Sequence, residues 1–146
     1  MALLEELGTD LRQVTTSRGT ARLWTLASTV YVTTVSGHMD LEHASLFEAY
    51  GADRVRLSGG GLHVFHDWLT MTGYESECRQ RLTRWSVKHL DAYAEVHLAV
   101  RSKIVAMGVQ VANIALRGLI HVHPDRAPIE VALRRVLRVT PDAPRV

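Results

Sequence analysis

At 146 residues, with 47% hydrophobic residues and a mean hydropathy close to zero, the chain has the length of one domain and can bury a core. That composition excludes intrinsic disorder, and the single Cys78 excludes an internal disulfide framework or a cysteine-built zinc site. The formal charge of +2 is carried almost wholly by arginine, since only Lys88 and Lys103 are lysines. The densest basic stretch, Arg79, Arg81, Arg84 and Lys88, is interleaved with Glu75, Glu77 and Asp91. A nucleic-acid binder needs a one-sided basic stripe with stacking or groove-reading side chains, so no nucleic-acid partner is expected.

In chain order, Met1 to Leu7 has room for about two helical turns with Leu3, Leu4 and Leu7 on one side. Thr9 to Thr20 is polar and rich in threonine, so residues 1–20 read as an arm or linker. Ala21 to Ala27 and Val30 to Ser36 are rich in β-branched and aromatic residues and are joined by Ser28-Thr29, a hairpin. Asp40 stands at an N-cap position before a helix that closes near Gly51. A short extended piece, Arg54 to Leu57, leads to Ser58-Gly59-Gly60-Gly61. This glycine run lacks the Gly-Lys-Ser/Thr of a phosphate loop and reads as a flexible turn.

Leu62 to Trp68 (LHVFHDW) is apolar on both faces, the pattern of a central strand. Beyond Gly73, a helix from about Glu75 to Leu90 carries Cys78, Leu82, Trp85 and His89 as one stripe. Glu95 to Val100 is a strand, and Ser102 caps a helix from Lys103 to Leu116 that is apolar nearly all round. Gly118 stops that helix, Leu119 to His123 is the last strand, and Ile129 to Arg138 is the last helix. The longest apolar run, Ile104 to Leu116, is broken by Gly108, Gln110 and Asn113 and is too short to span a bilayer. No membrane insertion is expected and, with no basic-then-apolar leader opening the sequence, a cytoplasmic location is. Strands alternating with helices in the order β-β-α-β-α-β-α-β-α imply a layered α/β domain over residues 21–139, with a tail at 140–146.

This string of elements resembles the STAS domain, the fold of anti-sigma-factor antagonists and of the cytoplasmic tails of sulfate transporters. VYVTTVSGHMD resembles that family's second strand and the turn into its first helix. LHVFHDW followed by TGYESE resembles its central strand and the loop that carries its regulatory serine. VRSKIVAMGVQVANIAL followed by GLIHVHPDRAPIEVAL resembles its closing strand–helix–strand–helix unit. The resemblance implies a mostly parallel five-stranded sheet with an N-terminal hairpin and about four helices.

The family's regulatory loop reads Asp-Ser or Asp-Thr followed soon by glycine, whereas this chain reads Tyr74-Glu75-Ser76-Glu77. Ser76 is in register for phosphorylation; a helix N-terminus favours an added phosphate and Glu77 opposes it. The resemblance further implies a non-enzymatic bacterial signalling module that binds a protein partner, a kinase-type anti-sigma factor or a larger assembly, or associates with itself as a homo-oligomer. The candidate surface is Trp68, Met71, Tyr74, Glu75, Ser76, Glu77 and Arg79, joined by Ser102 and Lys103 at the next strand's end. The alternative is a small-molecule or lipid carrier, with the apolar helix from Lys103 to Leu116 walling a cavity and Gly108 permitting close approach.

Other constellations read as structural. His121 and His123 share one face of a strand and His97 can join them, a set of the type zinc takes, but scattered strand-end histidines are the plainer reading. His63 and His66 point to opposite faces of their strand. Asp67, His66 and Ser76 lie close in sequence without a Gly-x-Ser-x-Gly elbow, so no catalytic residue, metal or cofactor is assigned. Cys78 reads as a packed thiol, and Trp24, Trp68 and Trp85 as core.

Overall fold

The computed structural model describes residues 8–145, so the helical turns expected for Met1 to Leu7 lie outside the described residues. Six strands form one sheet in sequence order: β1 (Thr9–Thr15), β2 (Gly19–Ala27), β3 (Val30–Met39), β4 (Leu62–Tyr74), β5 (Tyr93–Val100) and β6 (Ile120–His123). The first three pair antiparallel, and β3 through β6 pair parallel. Three crossovers carry α1 (Leu41–Ser58), α2 (Ser76–Lys88) and α3 (Lys103–Ala115), and α4 (Arg126–Val139) follows β6. A one-turn 3-10 helix, Leu90–Ala92, links α2 to β5. Among the described residues the class is the expected α/β with four helices, and the sheet has one strand more than expected.

Alternation along the strands divides the core in two. Ala21, Leu23, Tyr31, Val35, Leu62, Val64, Val96 and Leu98 face α1, α2 and α3, where Phe47, Tyr50, Cys78 and Val105 meet them. The intervening Trp24, Val30, Val32, Phe65 and Ala99 face α4, packing on Ile129, Leu133 and Val136. On that second face the ion pair of Asp67 with Arg126, at 2.7 Å, fastens the first turn of α4 to the central strand.

Several elements run longer than the sequence patterns suggest. Residues 9–15, expected to belong to an arm, form β1; the strand looks polar because it is an edge, with most of its residues exposed. Helix α1 does not stop near Gly51, and Arg54 to Leu57 is helical rather than extended. Gly51 is there because Trp85 lies against it: a Cβ would stand 2.5 Å from the indole. The true stop is Gly59 at φ 76, whose N–H bonds to Val55 O. Strand β4 passes through Gly73 to Tyr74, pairing Thr70 to Tyr74 with Ser36 to Met39 after one register shift, between Thr34 and Ser36, and across a second, between Gly37 and His38.

Helix α4 begins at Arg126, ahead of the expected Ile129. The tail is tied down where Asp142 accepts a hydrogen bond from the Ser28 N–H at 2.8 Å. No helix among the described residues is long and apolar enough to cross a membrane.

Candidate functional site

The parallel strands point the same way, so α1, α2 and α3 all start beyond their carboxyl ends; β4 runs on past its last β5 pair, Trp68 with Val100, to pair Tyr74 with Met39, so α2 starts farther out than α3. Asp40 caps α1 in a reciprocal box with His43, and its other carboxylate oxygen accepts from Thr16 Oγ1 at 3.0 Å. Ser102 caps α3 through Val105 N. Glu75 precedes α2 without a side-chain cap, and its carboxylate instead lies 3.6 Å from Arg18.

The sequence-derived surface residues divide into two groups at this edge. Ser76, Glu77 and Lys103 are exposed, while Glu75, Arg79 and Ser102 are half-buried beside them. The remaining three turn inward, because the expected loop is the continuation of β4. Met71 is buried at 3% exposure, and half-buried Trp68 donates a hydrogen bond from Nε1 to the buried Thr33 Oγ1 at 3.0 Å. Tyr74 lies against α3, its hydroxyl in the space a side chain at position 108 would occupy, so Gly108 permits the helix to cross there.

Helix α3, apolar nearly all round, is covered by its own chain on one side only. Val105, Gly108 and Val109 are buried, but Ile104, Met107, Val111 and Ile114 are 54–82% exposed. Spacings of three, four and three place those four on one stripe. Arg101 and Lys103 stand at its start and Arg117 at its end, with no acidic residue in the helix. Asn113, which interrupts the apolar run, bonds to both backbone groups of Ile120 and locks α3 to β6.

Beneath α2 and α3 lies a cavity of about 130 Å³. Its walls are chiefly aromatic and aliphatic: Tyr31, Phe47, His66, Trp68, Trp85 and Tyr93 bring the rings, and Leu82, Val109 and Leu116 the aliphatic surface. Trp68 and Trp85 thus line this cavity as well as packing in the core, a placement the sequence alone did not reveal. Burial sets the protonation of this region. It pushes His66 down to about 3 and Tyr93 up to about 12, and with Glu75 and Asp40 it pushes the Cys78 thiol up to about 12. A thiol so held is a packing group, not a nucleophile.

On the opposite face, His97 Nδ1 lies 2.9 Å from His123 Nε2, and His97 stacks between Phe65 and the rings of His121 and His123. Burial would raise Glu95, but hydrogen bonds from His97 and Arg135 outweigh it and hold the carboxyl at about 2. Among the described residues no group of three or more His, Cys, Asp or Glu is arranged to hold a metal. His66 and Asp67 face opposite sides of the sheet, one on Thr33 and the cavity and the other on Arg126, so they cannot form a hydrogen-bonded chain with Ser76.

No protein-family model and no curated protein matches the chain. A solved structure similar to it is an uncharacterised protein of the DUF3478 family with a SpoIIAA-like fold from Shewanella loihica PV-4. The two share 11% sequence identity at a TM-score of 0.57, over 90% of this chain and 99% of that one.

Proposed function

From its SpoIIAA-like fold, the fold of anti-sigma-factor antagonists, we propose that this chain is a non-enzymatic binding module that acts by occupancy, covering or releasing a protein partner. The observation that carries the reading is the exposed stripe Ile104, Met107, Val111 and Ile114. It begins at the same edge as Ser76, Glu77, Arg79, Ser102 and Lys103. An apolar strip rimmed by polar and charged side chains is the anatomy of a protein interface. The basic residues at its two ends favour a partner whose apolar surface is flanked by carboxylates. A kinase-type anti-sigma factor, a larger signalling assembly or a second copy of this chain are the partners considered, and Ser76 is the position at which phosphorylation would tune the contact.

The test compares the full chain with a Met107→Ser/Ile114→Ser variant, by capture on immobilised protein and by light-scattering mass of the purified chain. A partner, or a dimer mass, present for the wild type and lost in the variant supports the reading. Equal capture and equal mass for both would overturn it. A Ser76→Glu change that leaves partner affinity unaltered would remove the phosphorylation element alone.

A second reading, small-molecule binding, is favoured by the apolar cavity under α2 and α3. Its walls come from the fold's own elements and use none of the exposed stripe.

A further inference from the structure

His66 projects from the middle of β4 onto the face covered by the three crossover helices, and its ring is held from one edge only. Nδ1 lies 2.6 Å from Thr33 Oγ1. That hydroxyl already accepts from Trp68 Nε1 at 3.0 Å, and Thr33 is fully buried. A hydroxyl has one proton, and among the described residues the acceptor within reach of this one is His66 Nδ1. Thr33 therefore donates to Nδ1, which fixes the imidazole as the tautomer protonated on Nε2. A charged imidazolium would leave the hydroxyl proton with no acceptor, which agrees with the low pKa that burial gives this ring.

The opposite edge of the ring is free. Nε2 has no hydrogen-bond partner among the described residues. The side chain is half-buried rather than sealed in. His66 lines the cavity, so the cavity is where its unpaired N–H is reached. A donor facing a largely apolar space is matched better by an occupant carrying one acceptor than by one carrying none. Size narrows the occupant further. An engineered apolar cavity of roughly 150 Å³ in another protein holds benzene. This one, about 130 Å³, has room for one six-membered ring. Phe47, Trp68 and His66 stand mutually tilted or edge-on, with centroids 4.9–6.2 Å apart, as rings that can flank a flat guest.

We infer that the cavity is a binding site for a small uncharged ring compound bearing one hydrogen-bond acceptor, a carbonyl for instance, which meets His66 Nε2 while Trp68, Phe47 and the α2–α3 wall enclose the ring. The inference rests on the small-molecule reading of the cavity and is independent of the docking reading. The volume matches a compact, metabolite-sized ring.

The experiment titrates the full chain with two molecules of one shape, cyclohexanone and methylenecyclohexane, which differ in presenting a carbonyl oxygen or a methylene group. The same titration is run on His66→Phe. The ratio of the two affinities in each protein cancels the different hydration of the ligands. A ketone preference about tenfold greater in the wild type than in His66→Phe is the expected result. Binding of both ligands with the same ratio in the two proteins would overturn recognition by His66 and leave the small-molecule reading standing. No binding of either to the wild type at millimolar concentration would overturn both. Should His66→Phe not fold, two-bond proton–nitrogen spectra of the wild-type imidazole answer the question directly. The expected result is a protonated Nε2 whose signal moves with cyclohexanone and not with its partner. A protonated Nδ1, or equal shifts with both ligands, would overturn the inference.

Discussion

His66 is protonated in the unfolded chain below about pH 6.5, whereas in the fold burial holds its pKa at about 3. Between those values the unfolded state binds more protons, so stability falls as pH drops through this window. One excess proton contributes a slope of at most about 1.4 kcal/mol per pH unit. Urea unfolding at pH 7, 6 and 5 is expected to show the wild type losing stability more steeply than His66→Phe. Parallel slopes would mean that the ring takes up its proton freely inside the fold. Glu95 acts in a lower window, stabilising above about pH 4.5 and losing that contribution as pH falls towards its folded value near 2, so measurements above pH 5 separate the two. None of this was legible from the sequence. Strand alternation places His66 and His63 on opposite faces, but the hydrogen bonds of Thr33 and the space beside the ring depend on how far two helices stand from the sheet.

Elements were legible where a local signal decides them. Asp40 and Ser102 mark helix starts by the chemistry of capping, and the β-branched runs of β2 and β3 mark a hairpin. Elements were misjudged where tertiary packing overrides a local stop. Gly51 looks like a helix end and is a seat for Trp85; Gly73 looks like a strand end and lies within β4. At the true stop of α1, Gly59, a Cβ would meet nothing within 4 Å, so a side chain there faces backbone strain alone. Gly59→Ala is therefore expected to cost about 1 kcal/mol, with Asn better tolerated, in thermal unfolding. Helices α3 and α4 offer a sharper contrast. Leu133 is fully buried in α4 and Ile114 is 82% exposed on α3. Leu133→Ala is expected to lose about 2–5 kcal/mol. Ile114→Ser should change stability by no more than about 0.5 kcal/mol, which leaves any loss of partner binding attributable to the surface.

At the scale of the molecule, the α/β class, four helices and parallel order followed from the alternation of periods, while the outermost strand did not. β1 reads as polar linker because an edge strand can be built from threonine, arginine and glutamine when only one of its flanks is paired. It nevertheless covers the flank of β2, whose Ala21 and Leu23 are fully buried. A chain lacking residues 1–15 is expected to aggregate or to unfold at lower temperature than the full chain, because β2 becomes an open edge. Unchanged solubility and melting would show β1 to be dispensable and return those residues to the status of a linker.

The two faces of the sheet are closed on different schedules. The first is covered progressively by α1, α2 and α3 as each crossover forms, whereas the second waits for α4, the helix among the described residues on which its Trp24, Val32 and Phe65 pack. During synthesis a nascent chain therefore carries an open hydrophobic sheet until residue 139 has left the ribosomal tunnel. Such an intermediate is a natural client for a chaperone that binds extended apolar surface, and a pause in translation just before α4 would lengthen its exposure. Ribosome-bound chains arrested within α4 should bind such a chaperone, and those extended far enough to free Leu137 should release it.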